Sequence, residues 1–234
     1  MTAREKADKW LALDLDETFK SGIRALIDGD EAVLEDAFYK DLEFGTGGMR
    51  GVMGVGSNRV NKYTFGTATQ GLANYLKLSF PSAPLKVAIA HDCRNNSKSF
   101  ARMVAEILSA NGIKAYLFED LRPTPQLSFA VRELGCQSGI VITASHNPPE
   151  YNGYKVYWND GAQIVAPHDK GIIEEVRKVD DPSTIPFTPN EALIETLGVE
   201  MDEAFLRASL AQRKTTTTNA ALKVVFTSLH GTSI

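Results

Sequence analysis

Apolar positions along the chain change period several times, and the changes mark out its elements. Between Thr2 and Lys40 apolar residues recur at helical spacing, as in Phe19, Ile23, Leu26 and Ile27, with Asp16 and Asp30 placed as N-caps. The spacing predicts two or three short amphipathic helices, an extension that docks on the rest of the chain. From Tyr63 helices and short apolar runs alternate. A helix to about Leu78 is followed by a strand Leu85–Ala90. A helix from Ser97 carries Phe100, Met103, Val104, Ile107 and Leu108 on one stripe and stops at Asn111-Gly112. A strand Lys114–Phe118, a helix near Gln126–Leu134 and a strand Gly139–Thr143 come next. Helices alternating with strands that are apolar on both faces predict a layered α/β/α fold around a largely parallel or mixed sheet.

Beyond Thr143 the pattern predicts a polar loop, an edge strand Gly153–Trp158, and a helix Asp169–Val179 with Ile172, Ile173, Val176 and Val179 inward. Asp180–Asn190, rich in Pro, Thr and Asp, reads as a linker. A helix around Glu200–Gln212, the threonines Thr215–Thr218 and a strand Leu222–Phe226 complete the chain. A last strand without a sheet of its own predicts a second domain cut short. The organisation expected is therefore a helical extension over 1–40, an α/β domain over 41–190, and a linker helix with the start of a second domain over 191–234.

Composition narrows the classes of function. The net charge is -4 and the cations are scattered, so the basic stripe of a nucleic-acid binder is missing. No apolar window is long enough for a membrane helix. Cys93 and Cys136 have neither metal-ligand spacing nor the density of a disulfide scaffold, and the N-terminus lacks a signal-peptide layout, so a reducing cytoplasm is the expected setting. An anionic ligand would need a local site.

Two segments could supply one. Phe44–Gly54 holds five glycines and reads as a shaped loop. Thr143–Lys155 follows the C-terminal end of a buried strand, where open α/β sheets place ligands. It sets the hydroxyl of Ser145 beside the imidazole of His146 on a loop stiffened by Pro148 and Pro149, with a cation, Lys155, positioned to return toward it. The same residue types also make ordinary surface turns. A hydrolase triad is disfavoured, because no G-x-S-x-G elbow and no orienting acid accompany the pair.

The run T-A-S-H-N-P from Thr143, followed by N-G-Y-K ending at Lys155, resembles the active-site loop of the α-D-phosphohexomutase superfamily, the phosphoglucomutases and phosphomannomutases. F-G-T-G-G-M-R-G (Phe44–Gly51) is similar to that family's N-terminal signature. A-I-A-H-D-C-R-N-N-S (Ala88–Ser97) is similar to its second strand, and T-S-L-H-G-T (Thr227–Thr232) to the opening of its second domain, with Ser228 and Ser233 departing from the common pattern. The helical extension and T-Q-G-L-A-N-Y-L (Thr69–Leu76) resemble the phosphoglucomutase-2 and phosphopentomutase-like branch.

This resemblance implies the first domain of an intramolecular phosphotransferase that interconverts hexose 1-phosphate and hexose 6-phosphate. Ser145 would carry the phosphoryl group through a sugar 1,6-bisphosphate, which also serves as activator. Arg50 would offer a planar fork to phosphoryl oxygens, or be a plain surface arginine. Lys155 would neutralise charge or take the proton of the incoming hydroxyl, or be an exposed edge-strand lysine. His146 would exchange protons or only fix the loop, and Asn147 would contact phosphate. Asp92 and Arg94 would hold the loop, or form a simple exposed ion pair. Mg²⁺ is implied on the phosphoserine oxygen, with three aspartates of a D-G-D-x-D-type loop that this sequence lacks. The remaining domains II to IV would be the partners that complete the site, and this length of chain is expected to be inactive alone. The alternative is a sugar-phosphate-binding or regulatory module without turnover.

Overall fold

In a computed structural model, which describes residues 1–214 and 221–232, the N-terminal helices form as their caps require. They are α1 (Ala3–Ala12), α2 (Glu17–Ile27) and α3 (Glu31–Phe38). Thr2 closes a capping box on α1, while the carboxylates of Asp16 and Asp30 accept from the backbone N–H groups of Phe19 and Ala32. Ala7, Ile23, Leu34 and Phe38 gather around Tyr63 in a core of their own. The Tyr63 hydroxyl donates to Asp16 Oδ2 at 2.9 Å, and the Asp16 N–H donates to that hydroxyl at 2.8 Å, so the extension is fixed to the next helix.

That helix is α4 (Lys62–Ser79), preceded by a strand β1 (Gly48–Val52). Then come β2 (Lys86–His91), α5 (Ser97–Ala110), β3 (Lys114–Phe118), α6 (Thr124–Glu133), β4 (Ser138–Ile142), β5 (Tyr151–Trp158), α7 (His168–Arg177), β6 (Ile194–Leu197) and α8 (Val199–Ala211). One six-stranded sheet runs in the order β1-β5-β4-β2-β3-β6. β2 is parallel to β3 and β4, and β3 to β6, whereas β5 is antiparallel to both β1 and β4, so the sheet is mixed.

Alternation along the strands divides the interior in two. Val87 and Ile89 of β2, with Tyr154 and Val156 of β5, face α4, α5 and α7. Ala88, Ala90, Val141 and Tyr157 face Leu127 and Val131 of α6 and Met201 of α8. The result is an α/β/α sandwich. No helix among the described residues is long and apolar enough to cross a membrane.

Several sequence expectations need correction. The glycine-rich segment is not all loop, because Gly48–Val52 pairs with Val52↔Tyr151 through Gly48↔Lys155. β5 is therefore an inner strand, not an edge, and Lys155 lies between Gly48 and Val141. Residue 48 must be glycine for this pairing: its φ is +140°, and a Cβ there would stand 1.9 Å from the Tyr154 carbonyl oxygen.

Asp180–Asn190 is not a free linker, since Ile185 is buried in the main core and the Phe187 ring meets Tyr63 at 6.0 Å. The boundary expected at 190 cuts the sheet one strand early: β6 extends it beside β3, and α8 packs on α6. This strand escaped the sequence reading because Ile194–Leu197 is only four residues long, half-exposed at an edge. Leu222–Phe226 forms no strand, and its side chains are exposed. The Thr215–Thr218 run and Ser233 lie outside the described residues.

Candidate active site

β4 ends at Ile142, and the chain then turns sharply. The Thr143 Oγ1 accepts from the Ser145 N–H at 2.9 Å, and Ala144 O accepts from the Asn147 N–H at 3.1 Å. Ser145 itself has φ +56°, the left-handed region that a residue with a Cβ enters only where its surroundings enforce it. This turn exposes its side chain at the strand's end. His146 Nδ1 lies 3.3 Å from Ser145 Oγ.

The surroundings that enforce the turn centre on Arg94, just beyond β2. Its guanidinium donates to Ser145 O at 2.7 Å, Pro148 O at 2.9 Å, Tyr151 O at 3.2 Å and also Asn147 O. Asp92 balances it: the Nε to Oδ2 separation is 3.5 Å, with both side chains only 11% and 13% exposed. Asp92 Oδ1 also accepts from Ser97 Oγ at 2.7 Å and from the Arg94 N–H at 3.0 Å. The exposed ion pair is thus excluded, and Arg94 is a peg through the serine loop. Asn152, which the sequence reading passed over, adds a second peg: it is buried and donates to Asn95 O and Ser97 Oγ, each at 3.0 Å.

Lys155 and Ser145 line one cavity of about 230 Å³ together with Asp92, Arg122, Thr124, Thr143, His146 and His230. Arg50 does not line it. It sits opposite Gly153 across the β1–β5 pair, and its Nη1 donates to Asn147 Oδ1 at 3.1 Å. Gly153 permits this closeness, since a Cβ there would meet Thr143 O at 2.7 Å and Met49 O at 2.9 Å. The structure therefore brings Ser145, His146 and Lys155 into one cavity, with Arg50 of β1 hydrogen-bonded to Asn147 of the serine loop. A hydroxyl that shares a cavity with the cationic side chains of Lys155 and Arg122 has nearby charge of the sign that a transferring phosphoryl group needs.

Arg122 is a member the sequence reading missed, although the R-P-T-P run after β3 stands where a second strand end meets the site. Its fork is bidentate on Asp202 of α8, with Nε–Oδ1 and Nη2–Oδ2 each 2.7 Å, and Gln126 donates to the same carboxylate. The Arg122 guanidinium holds the Asp202 carboxyl below the usual carboxylate range. A group with a depressed folded pKa stabilises the fold above its unfolded value, about 3.9, and loses that contribution as pH falls through the folded pKa. The expected result is that Asp202→Asn lowers the urea midpoint at pH 6 and that this deficit shrinks below about pH 4. A deficit independent of pH would show that the carboxylate's charge is not what holds α8.

The described residues contain no group of three or more His, Cys, Asp or Glu suited to a metal ion. The residues present therefore do not by themselves form the Mg²⁺ site that the resemblance implies.

A family model described as phosphoglucomutase/phosphomannomutase, alpha/beta/alpha domain I, matches residues 41–183. Among curated proteins the chain is 43% identical over 194 residues to a probable phosphoribomutase of Schizosaccharomyces pombe, covering 82% of this chain and 32% of that protein. It is 39% identical over 203 residues to a phosphoglucomutase of Staphylococcus haemolyticus, covering 86% and 37%. To the human phosphopentomutase it is 40% identical over 182 residues, covering 74% and 30%. A crystal structure of a putative phosphomannomutase from Thermus thermophilus superposes with a TM-score of 0.59 at 31% identity, covering 74% of this chain and 36% of that one. The chain spans about a third of the length of the curated relatives it matches.

Proposed function

The chain belongs to the phosphoglucomutase/phosphomannomutase family, and from that premise we propose that it is the phosphoryl-carrying domain of a sugar-phosphate mutase, with Ser145 as the carrier. The observation that supports this most is the arrested serine: a hydroxyl held at φ +56° and exposed in a cavity shared with Lys155 and Arg122. Strain of this kind is retained where a loop must present a group rather than merely turn.

In this reading a sugar hydroxyl attacks the phosphorus of phosphorylated Ser145. The new P–O bond forms as the P–Oγ bond breaks, giving a sugar bisphosphate that reorients and returns its other phosphoryl group to Oγ. Lys155 neutralises charge on the phosphoryl oxygens or accepts the hydroxyl's proton, and His146 Nδ1 exchanges a proton with Oγ. Arg50 orients Asn147 toward the phosphate. Mg²⁺, where the whole protein binds it, would supply charge compensation at the phosphoserine. Its carboxylate ligands are not in this sequence, and no step here rests on it. By the same reading the 234 residues alone catalyse no turnover.

The exchange proposed is between the 1- and 6-phosphates of a hexose. A pentose substrate, exchanging 1- and 5-phosphates, is the second reading, favoured by the phosphoribomutase and phosphopentomutase names of similar proteins.

The full-length protein, incubated with a sugar bisphosphate labelled in its phosphates, is expected to carry one exchangeable phosphoryl group on the peptide containing Ser145, read by mass spectrometry. A binding module has no use for such a group. Label on another residue, or none, would refute the assignment.

A further inference from the structure

On the α5 face of the sheet, behind the serine loop, lies an open cavity of about 730 Å³ lined by His91, Arg94, Asn96, Lys98, Ser99, Arg102 and Glu119, among others. Two buried side-chain atoms among the described residues have no hydrogen-bond partner, His91 Nε2 and Arg94 Nε, and both residues line this cavity. His91 is 2% exposed. Arg94 Nε is turned to Asp92 Oδ2 at 3.5 Å, which leaves His91 Nε2 as the orphan to be explained, and such buried polar atoms are uncommon.

The same cavity meets the N-terminus of α5, a helix of 14 residues whose N-cap, Asn96, makes no side-chain capping bond. Ser97 N–H donates to Arg94 O and Phe100 N–H to Asn96 O, so the N–H groups of Lys98 and Ser99 have no acceptor within the helix. Three cations, Arg94, Lys98 and Arg102, face one lining carboxylate, Glu119. Their other partners are Asp92 for Arg94, Asp120 for Lys98 at 4.0 Å, and Glu106 and Glu191 for Arg102.

We propose that this cavity is a binding site for inorganic phosphate, separate from the serine loop. Donors come from the Lys98 and Ser99 backbone and the Arg102 guanidinium, as at other anion-binding helix N-termini. The choice of phosphate over other oxyanions rests on His91. Its Nδ1 lies 2.9 Å from Asp92 O, which can only accept, so Nδ1 carries a proton, and in that tautomer of the uncharged ring Nε2 is an acceptor. Inorganic phosphate at neutral pH keeps at least one P–OH to donate there. Sulfate keeps none, and neither does a fully ionised phosphomonoester. Arg94, which lines this cavity, also holds Ser145 O and Asn147 O of the serine loop.

Amide NMR of the chain titrated with inorganic phosphate tests this independently of any mutase activity. Saturable shifts are expected at Lys98 and Ser99, about tenfold tighter with phosphate than with sulfate or glucose 6-phosphate at equal ionic strength, because neither sulfate nor the phosphomonoester dianion has an O–H on the anion itself for His91 to accept. The exposed double substitution Lys98→Gln, Arg102→Gln is expected to weaken the shifts by about tenfold or more. Equal response to sulfate, shifts confined to Ser145–Asn147, or no saturation by about 10 mM phosphate would overturn the proposal.

Discussion

Ser145→Ala in the full-length protein is expected to lower mutase turnover by about 10⁴-fold or more, the scale reached when a catalytic nucleophile is deleted. The phosphoryl group would then have no covalent station between the two sugar oxygens, and the remaining cations could only favour a direct transfer that the geometry does not set up. Ser145→Gly sharpens the test. Glycine accepts φ +56° without steric cost, so the loop keeps its shape while the hydroxyl is gone. Both variants should therefore be equally inactive in a coupled assay with glucose 1-phosphate and catalytic bisphosphate. Turnover within tenfold of the parent from either would show that Ser145 is not the carrier. Activity lost in Ser145→Ala but kept in Ser145→Gly would mean that backbone shape, not the hydroxyl, was what the position supplied.

Most of the sandwich was legible because its elements are governed by local rules. α5 shows one apolar stripe and an Asn-Gly stop, and α2 and α3 have aspartate caps that bond as their spacing requires. What the sequence hid was pairing at a distance. Gly48–Val52 is rich in glycine and reads as loop, and it becomes a strand only because Gly48 and Gly153 let three backbones close on one another. β6 is four residues long and gains its place from β3, not from its own pattern. In the site, Ser145, His146 and Lys155 were legible from a contiguous motif, whereas Arg122 was not, because Asp202, 80 residues away, is what fixes it. Arg94 was legible as a charge beside Asp92. Its four acceptors were not, since all are backbone carbonyls, which carry no sequence signal.

Those carbonyls make Arg94→Ala the second large effect. One guanidinium joins Ser145, Asn147, Pro148 and Tyr151 to Asp92, in a position where both partners of the ion pair are nearly shielded from water. Removing one member of a buried pair leaves the other charge uncompensated and typically costs about 3–5 kcal/mol. Here Asp92 would keep only Ser97 Oγ and a backbone N–H, while the serine loop would lose its peg. Urea unfolding of Arg94→Ala is expected to show a loss in that range. Arg94→Lys should recover less than half of it, because an ammonium restores the charge but cannot span several carbonyls as a planar fork does. Turnover should fall further than stability alone explains, since a displacement of about 1 Å in a reacting group can cost about 100-fold. A stability loss below about 1 kcal/mol, the worth of a single ordinary hydrogen bond, would mean that the turn at Thr143 and the two prolines hold the loop without Arg94.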